Sequence, residues 1–80
     1  MRPDDLIELV RRQPFAPFRI HVTGGVAYDV WHPDQIIVLQ SRAVLAAGGG
    51  NGIPERLEHV ALAHVVRIEE LPVSPPVGAN

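Results

Sequence analysis

Apolar and polar residues alternate at Phe18, Ile20 and Val22, and again at Val26, Tyr28 and Val30. That is the period of two shown by a half-buried strand. Thr23, Gly24 and Gly25 lie between the two runs. A loop of these three residues pairs Val22 with Val26, Ile20 with Tyr28 and Phe18 with Val30, which keeps both apolar sets on one face. A two-residue Gly24-Gly25 loop would set Ile20 against Asp29 and turn one arm's apolar side chains to water. The pattern therefore predicts a hairpin over Phe18 to Trp31 with Arg19 facing Asp29 on its outer side. Gly25 is expected in the left-handed position of a type I turn with a G1 bulge.

Before the hairpin, Leu6, Ile7, Leu9 and Val10 fall at helical spacing, so Pro3 to Gln13 reads as a short amphipathic helix. Pro3 suits its first turn, Asp4 and Asp5 its positive end, and Arg11 and Arg12 its negative end. Pro14 stops it, and Phe15 and Phe18 are expected to anchor the helix to the sheet. After the hairpin, His32-Pro33-Asp34 breaks the ladder, because proline has no N–H to give it. Ile36 to Leu39 is a continuous β-branched and apolar run, read as a strand within Gln35 to Gln40 covered on both faces. Ser41 and Arg42 turn into a strand over Ala43 to Ala47, and the glycine-rich stretch at 48–52 reads as a flexible loop. Over Glu55 to Leu71 the pattern fits a strand at Arg56 to Val60, a 3₁₀ turn at Ala61 to Ala63, and a strand at His64 to Leu71 with Val66 and Ile68 inward. A single amphipathic helix fits the same spacing, which would make the fold α+β with a C-terminal helix. The β-branched Val65, Val66 and Ile68 favour strands. Residues 72–80, PVSPPVGAN, have the composition of a disordered tail.

Composition narrows the picture. Eighty residues allow one small domain, placed at residues 1–71, and a chain of that size has a modest core. Cysteine is absent, which removes disulfides and thiolate ligands and suits a reducing compartment, so a cytoplasmic protein is expected. Seven basic and nine acidic residues leave a net charge of −2. Every basic residue is arginine and none form a run, which argues against binding along a phosphate backbone. The start MRPDDL lacks an apolar stretch of signal-peptide length, and no apolar run approaches the roughly 20 residues that span a bilayer. The reading is a soluble protein with no membrane partner.

A short helix followed by five or six short strands, with Phe18-Arg-Ile-His-Val-Thr-Gly-Gly-Val-Ala-Tyr28 as first hairpin and Val65-Val66-Arg67-Ile68-Glu69-Glu70-Leu71 as closing strand, resembles the Sm-like and SH3-like small β-barrels. The resemblance covers most of residues 3 to 71 and implies a mainly β fold, a five- to six-stranded antiparallel barrel with an N-terminal helix. It also implies the possibility of an RNA-binding ring, in which Arg19, Arg42, Arg56 and Arg67 would gather around a pore. The Sm-like base-holding residues have no counterpart: Ile36 and Ile37 follow Asp34, and Ala61-Leu62-Ala63-His64 stands where that family has a basic residue and glycine. The Pro-Phe-x-Pro-Phe opening with the later His-Pro-Asp also resembles a set of small bacterial proteins, a likeness that implies no activity.

No constellation of catalytic residues emerges. His21, His32, His59 and His64 lack the spacing of a zinc site, which needs three or four converging ligands. Asp4, Asp5, Glu8, Glu55, Glu58, Glu69 and Glu70 fall at a helix start or on outer strand positions rather than in a pocket. Ser41 and Ser74 lack a nucleophile-elbow context, and the glycines at 48–52 lack the Lys-Ser/Thr of a phosphate loop. The expectation is a non-enzymatic protein-interaction or self-assembly module without cofactor or metal. Its partner would be another protein or a second copy, engaged through an open strand edge or through a surface of Arg19, His21, Trp31 and His32.

Overall fold

Phe18, Ile20 and Val30 are all buried to 1% exposure or less, and their burial sets the register of the hairpin. The computed structural model describes residues 1–72; residues 73–80, most of the expected tail, lie outside it. Strands β1 (Phe18–Val22) and β2 (Val26–Val30) pair antiparallel, with Phe18 opposite Val30, Arg19 opposite Asp29 and Val22 opposite Val26. Gly25 has the expected left-handed φ, +87°, but the turn before it is not the expected type I. Gly25 donates its N–H to the Val22 carbonyl at 3.2 Å, which puts Gly24 at the third turn position with φ +93°. A positive φ there is the mark of a type II turn, which favours glycine at that position.

On its other side β1 pairs with the last strand, β6 (Val65–Glu70), completing a three-stranded sheet in the order β2-β1-β6. Arg19 lies opposite Glu69 and His21 opposite Arg67, but the register slips between His21 and Val22, which faces Val65. This bulge leaves Val66 as the extra residue and breaks strict alternation. Val66 is 65% exposed, not inward as parity predicts, and Val65 packs against the core in its place.

The second sheet holds β3 (Ile36–Val38), β4 (Arg42–Ala47) and β5 (Arg56–Ala61), in that order. A 3₁₀ turn at Pro33–Gln35 leads from β2 into β3, and another at Leu62–His64 leads from β5 into β6. Residues 56–70 are thus two strands, and the single-helix alternative fails. The strands form two antiparallel sheets rather than one closed barrel. Ile36 to Leu39 are not covered on both faces: β3 is an edge strand of three residues, Ile37 is 62% exposed, and Leu39 sits in the turn to β4, its N–H donated to the Arg42 carbonyl at 2.8 Å.

Helix α1 (Pro3–Arg11) ends two residues earlier than its pattern suggests. Leu6 is fully buried, Leu9 and Val10 are partly so, and Arg12, outside the helix, reaches Glu70 at 3.0 Å. A helix this short is marginal alone and is held by what it covers. The core draws Leu6 from α1, Phe18, Ile20 and Val30 from the first sheet, and Ile36, Ala43, Leu45 and Val60 from the second, closed by Leu62 of the 3₁₀ turn. Phe15 and Phe18 stack obliquely with ring centroids 6.0 Å apart, joining helix to sheet as expected. Each large side chain fully buried in this way contributes about 1.5–3 kcal/mol.

Candidate interaction surface

Parity sends Arg19 and His21 outward from β1, and the strands on either side supply their partners. Arg19 grips Asp29 of β2 with two hydrogen bonds, Nε to Oδ1 at 2.6 Å and Nη2 to Oδ2 at 3.1 Å. His21 Nε2 lies 2.8 Å from Glu69 Oε1 on β6, and because a carboxylate only accepts, the ring donates to it when Nε2 carries the hydrogen. Arg67 Nη2 stands 3.1 Å from the same ring nitrogen and 3.8 Å from Glu69, and Arg19 Nη1 is 3.9 Å from Glu69. Two arginines, two carboxylates and the His21 ring, from three strands, thus interleave across one sheet face.

The arrangement shifts the acids. The Asp29 carboxyl is held below its usual 3.8, chiefly by the hydrogen bonds from Arg19 and against a smaller opposing effect of burial. Glu69 is held below its usual 4.5, chiefly by the hydrogen bond from His21, with Arg67 and Arg19 adding attraction. Arg19 is raised in turn by Asp29, so the pair stays ionised at any pH near neutrality.

Of the four residues singled out from sequence, Arg19 and His21 stand side by side in this network. Trp31 lies one residue beyond β2 and is 46% exposed. Its backbone N–H is held by Gln35 Oε1 at 2.9 Å, while Gln35 Nε2 donates to the carbonyls of Asp29 at 2.9 Å and Ala46 at 3.2 Å. Gln35 therefore fastens the end of β2 to β4, a role that nothing in its sequence context signals. His32 departs from the group and lines a separate open groove with Asp34, Gln35 and the glycine-rich loop.

That loop is more than a loose connector. Ile53 donates its N–H to the Gly50 carbonyl at 3.0 Å, and a side chain on Gly49, at φ +74°, would collide with the Ile53 carbonyl oxygen. Glycine is required there by both backbone angle and space.

A second surface escapes the sequence reading. On the outer face of the β3-β4-β5 sheet, Ile37, Val44 and His59 share one row and Ala46 and Leu57 the next. Ile37 is 62% exposed beside a nearly covered Val44, Leu57 is 63% exposed beside Ala46, and Leu39, in the turn after β3, is 46% exposed. Contiguous exposed apolar patches are characteristic of surfaces that associate. Among the described residues, no three histidines or carboxylates converge as metal ligands. Comparison with protein-family models, with curated proteins and with solved structures finds no match.

Proposed function

We propose that this chain is a non-enzymatic protein-interaction or self-assembly module, built on the plan of the Sm-like and SH3-like small barrels and acting through its second sheet. The observation that carries this reading is the β3-β4-β5 sheet, where Ile37 of one edge strand and Leu57 of the other are both exposed on the outer face, with Leu39 exposed in the turn after β3. The strand order β2-β1-β6 and β3-β4-β5, with a 3₁₀ turn before the last strand, supports the barrel plan.

Charge bears on the alternative, an RNA-binding ring. Three of the arginines that would serve it lie close to carboxylates: Arg19 at 2.6 Å from Asp29, Arg56 at 2.6 Å from Glu58 and Arg67 at 3.8 Å from Glu69. Phosphate would have to displace these acids, so the protein-interaction reading is the stronger one. Light scattering on a sizing column, at low and moderate salt and with added oligo-U RNA, tests it. A monomer or small oligomer indifferent to the RNA is expected. A ring whose mass rises with RNA would overturn the reading.

A further inference from the structure

The free edge of β5 can be read residue by residue. Leu62 donates its N–H to the Ser41 carbonyl at 3.0 Å, one step beyond the Arg42–Ala61 pair of the β4–β5 ladder. Hydrogen-bonded pairs alternate along an antiparallel ladder, so Val60, Glu58 and Arg56 turn their backbone groups toward β4. His59 and Leu57 turn theirs outward. Among the described residues no strand pairs with that side of β5, and an open groove lined by Tyr28, His59, Ala61 and His64 runs beside it. A row of unpaired N–H and C=O groups is a template for another strand.

We propose that this edge binds the same edge of a second copy of the chain, antiparallel, with the two Leu57 residues facing each other on the two-fold axis. The proposal rests on the self-assembly reading above, and the charge pattern selects the register. With Leu57 on the axis, Arg56 of each copy lies opposite Glu58 of the other, and Glu55 lies opposite His59. Arg56 Nε already holds Glu58 Oε2 of its own chain at 2.6 Å, so two copies close a ring of four alternating charges on one face. On the opposite face the Leu57 side chains, 63% exposed in the single chain, meet beside Ala46, their ladder partner.

Neighbouring registers lack this complementarity. An axis at Glu58 sets carboxylate against carboxylate, and one at Arg56 sets guanidinium against guanidinium. An axis at His59 leaves Arg56 and Glu58 opposite Leu62 and Val60. The Leu57 register also uses the outward backbone groups of Leu57, each donating to and accepting from its mate, while the Glu55 N–H stays with the Ala47 carbonyl of its own chain at 3.1 Å. The result is a closed, isologous pair that joins two three-stranded sheets into one of six.

The test is light scattering of the full chain across a wide range of concentration, with circular dichroism to confirm folding of each variant. A monomer–dimer equilibrium is expected. R56E and E58R each place like charges across the axis and weaken the dimer by about tenfold. Mixing equal amounts of R56E with E58R restores it, because each then meets its opposite, and the R56E/E58R double variant dimerises on its own. A chain that stays monomeric up to about 1 mM, or a dimer indifferent to both variants and to their mixing, overturns the proposal. Dimerisation only after removal of residues 73–80 would make the chain's own tail the occupant and overturn it too. A monomer that captures another protein leaves the broader reading standing, whereas a ring that grows on oligo-U removes both.

Discussion

At the scale of single residues, burial separates positions that hold the fold from positions free to serve a partner. Leu6 and Ile20 are fully buried, whereas Leu57 is 63% exposed. Leu6→Ala or Ile20→Ala is expected to lower stability by about 2–5 kcal/mol, and Leu57→Ala to change it by about 0.5 kcal/mol or less; urea denaturation of the three variants checks both. The glycines divide in the same manner. Gly49→Ala meets both an unfavourable φ and the Ile53 carbonyl, while a side chain at Gly50 meets open space. The first is expected to lower the melting temperature clearly and the second to leave it nearly unchanged. Leu6 and Ile20 were legible from periodicity, because a period of 3.6 or of two marks the inner face directly. Gly49 was not, since its constraint is a close approach by residues four to six positions later that no local pattern announces.

Elements show a different balance. The hairpin was legible down to each residue pair because its register depends only on neighbours in sequence: the parity of two runs and the length of one loop. The outer-face network was half legible. Arg19 opposite Asp29 follows from the hairpin, but Glu69 and Arg67 arrive through β6, some fifty residues away in sequence, and only the structure sets them beside Arg19 and His21. The bulge at Val66 defeats parity because one inserted residue reverses every inference made from the far end of the strand. The network sets a pH dependence. Asp29 and Glu69 both have folded values below their usual 3.8 and 4.5, so the unfolded chain binds protons first as pH falls. Their stabilisation is complete above those usual values and is lost as pH drops through the depressed folded ones. Asp29→Asn combined with Glu69→Gln is therefore expected to lower the urea midpoint at neutral pH and to flatten its fall below about pH 4.5. The joint between the sheets has its own test. Gln35→Ala removes three hydrogen bonds that tie β2 to β4, and a loss of about 1–3 kcal/mol is expected in thermal or denaturant melts.

For the molecule as a whole, one helix followed by five or six short strands was legible, as was a 3₁₀ turn before the last strand; the turn lies at Leu62–His64, one residue later than its pattern suggests. What did not follow from the sequence was how the strands divide. Two sheets share one core, and each keeps an outer face of its own chemistry, ionic on β2-β1-β6 and apolar on β3-β4-β5. The apolar face was missed for a physical reason. A run such as Ile36-Ile37-Val38-Leu39 has no polar positions to reveal which side is open, so exposure of Ile37 depends on β3 ending as an edge strand with nothing above it.

Pairing the first strand with the last has a consequence in time. As the chain leaves the ribosome, α1, β1 and β2 appear early, yet the other flank of β1 stays bare until β6, nearly the last described segment, has been made. Through that interval the hairpin offers a strand edge to any neighbouring nascent chain. Arg19 is already paired with Asp29 once β2 is made, so the outer face of the waiting hairpin is ordered before Glu69 and Arg67 arrive on β6.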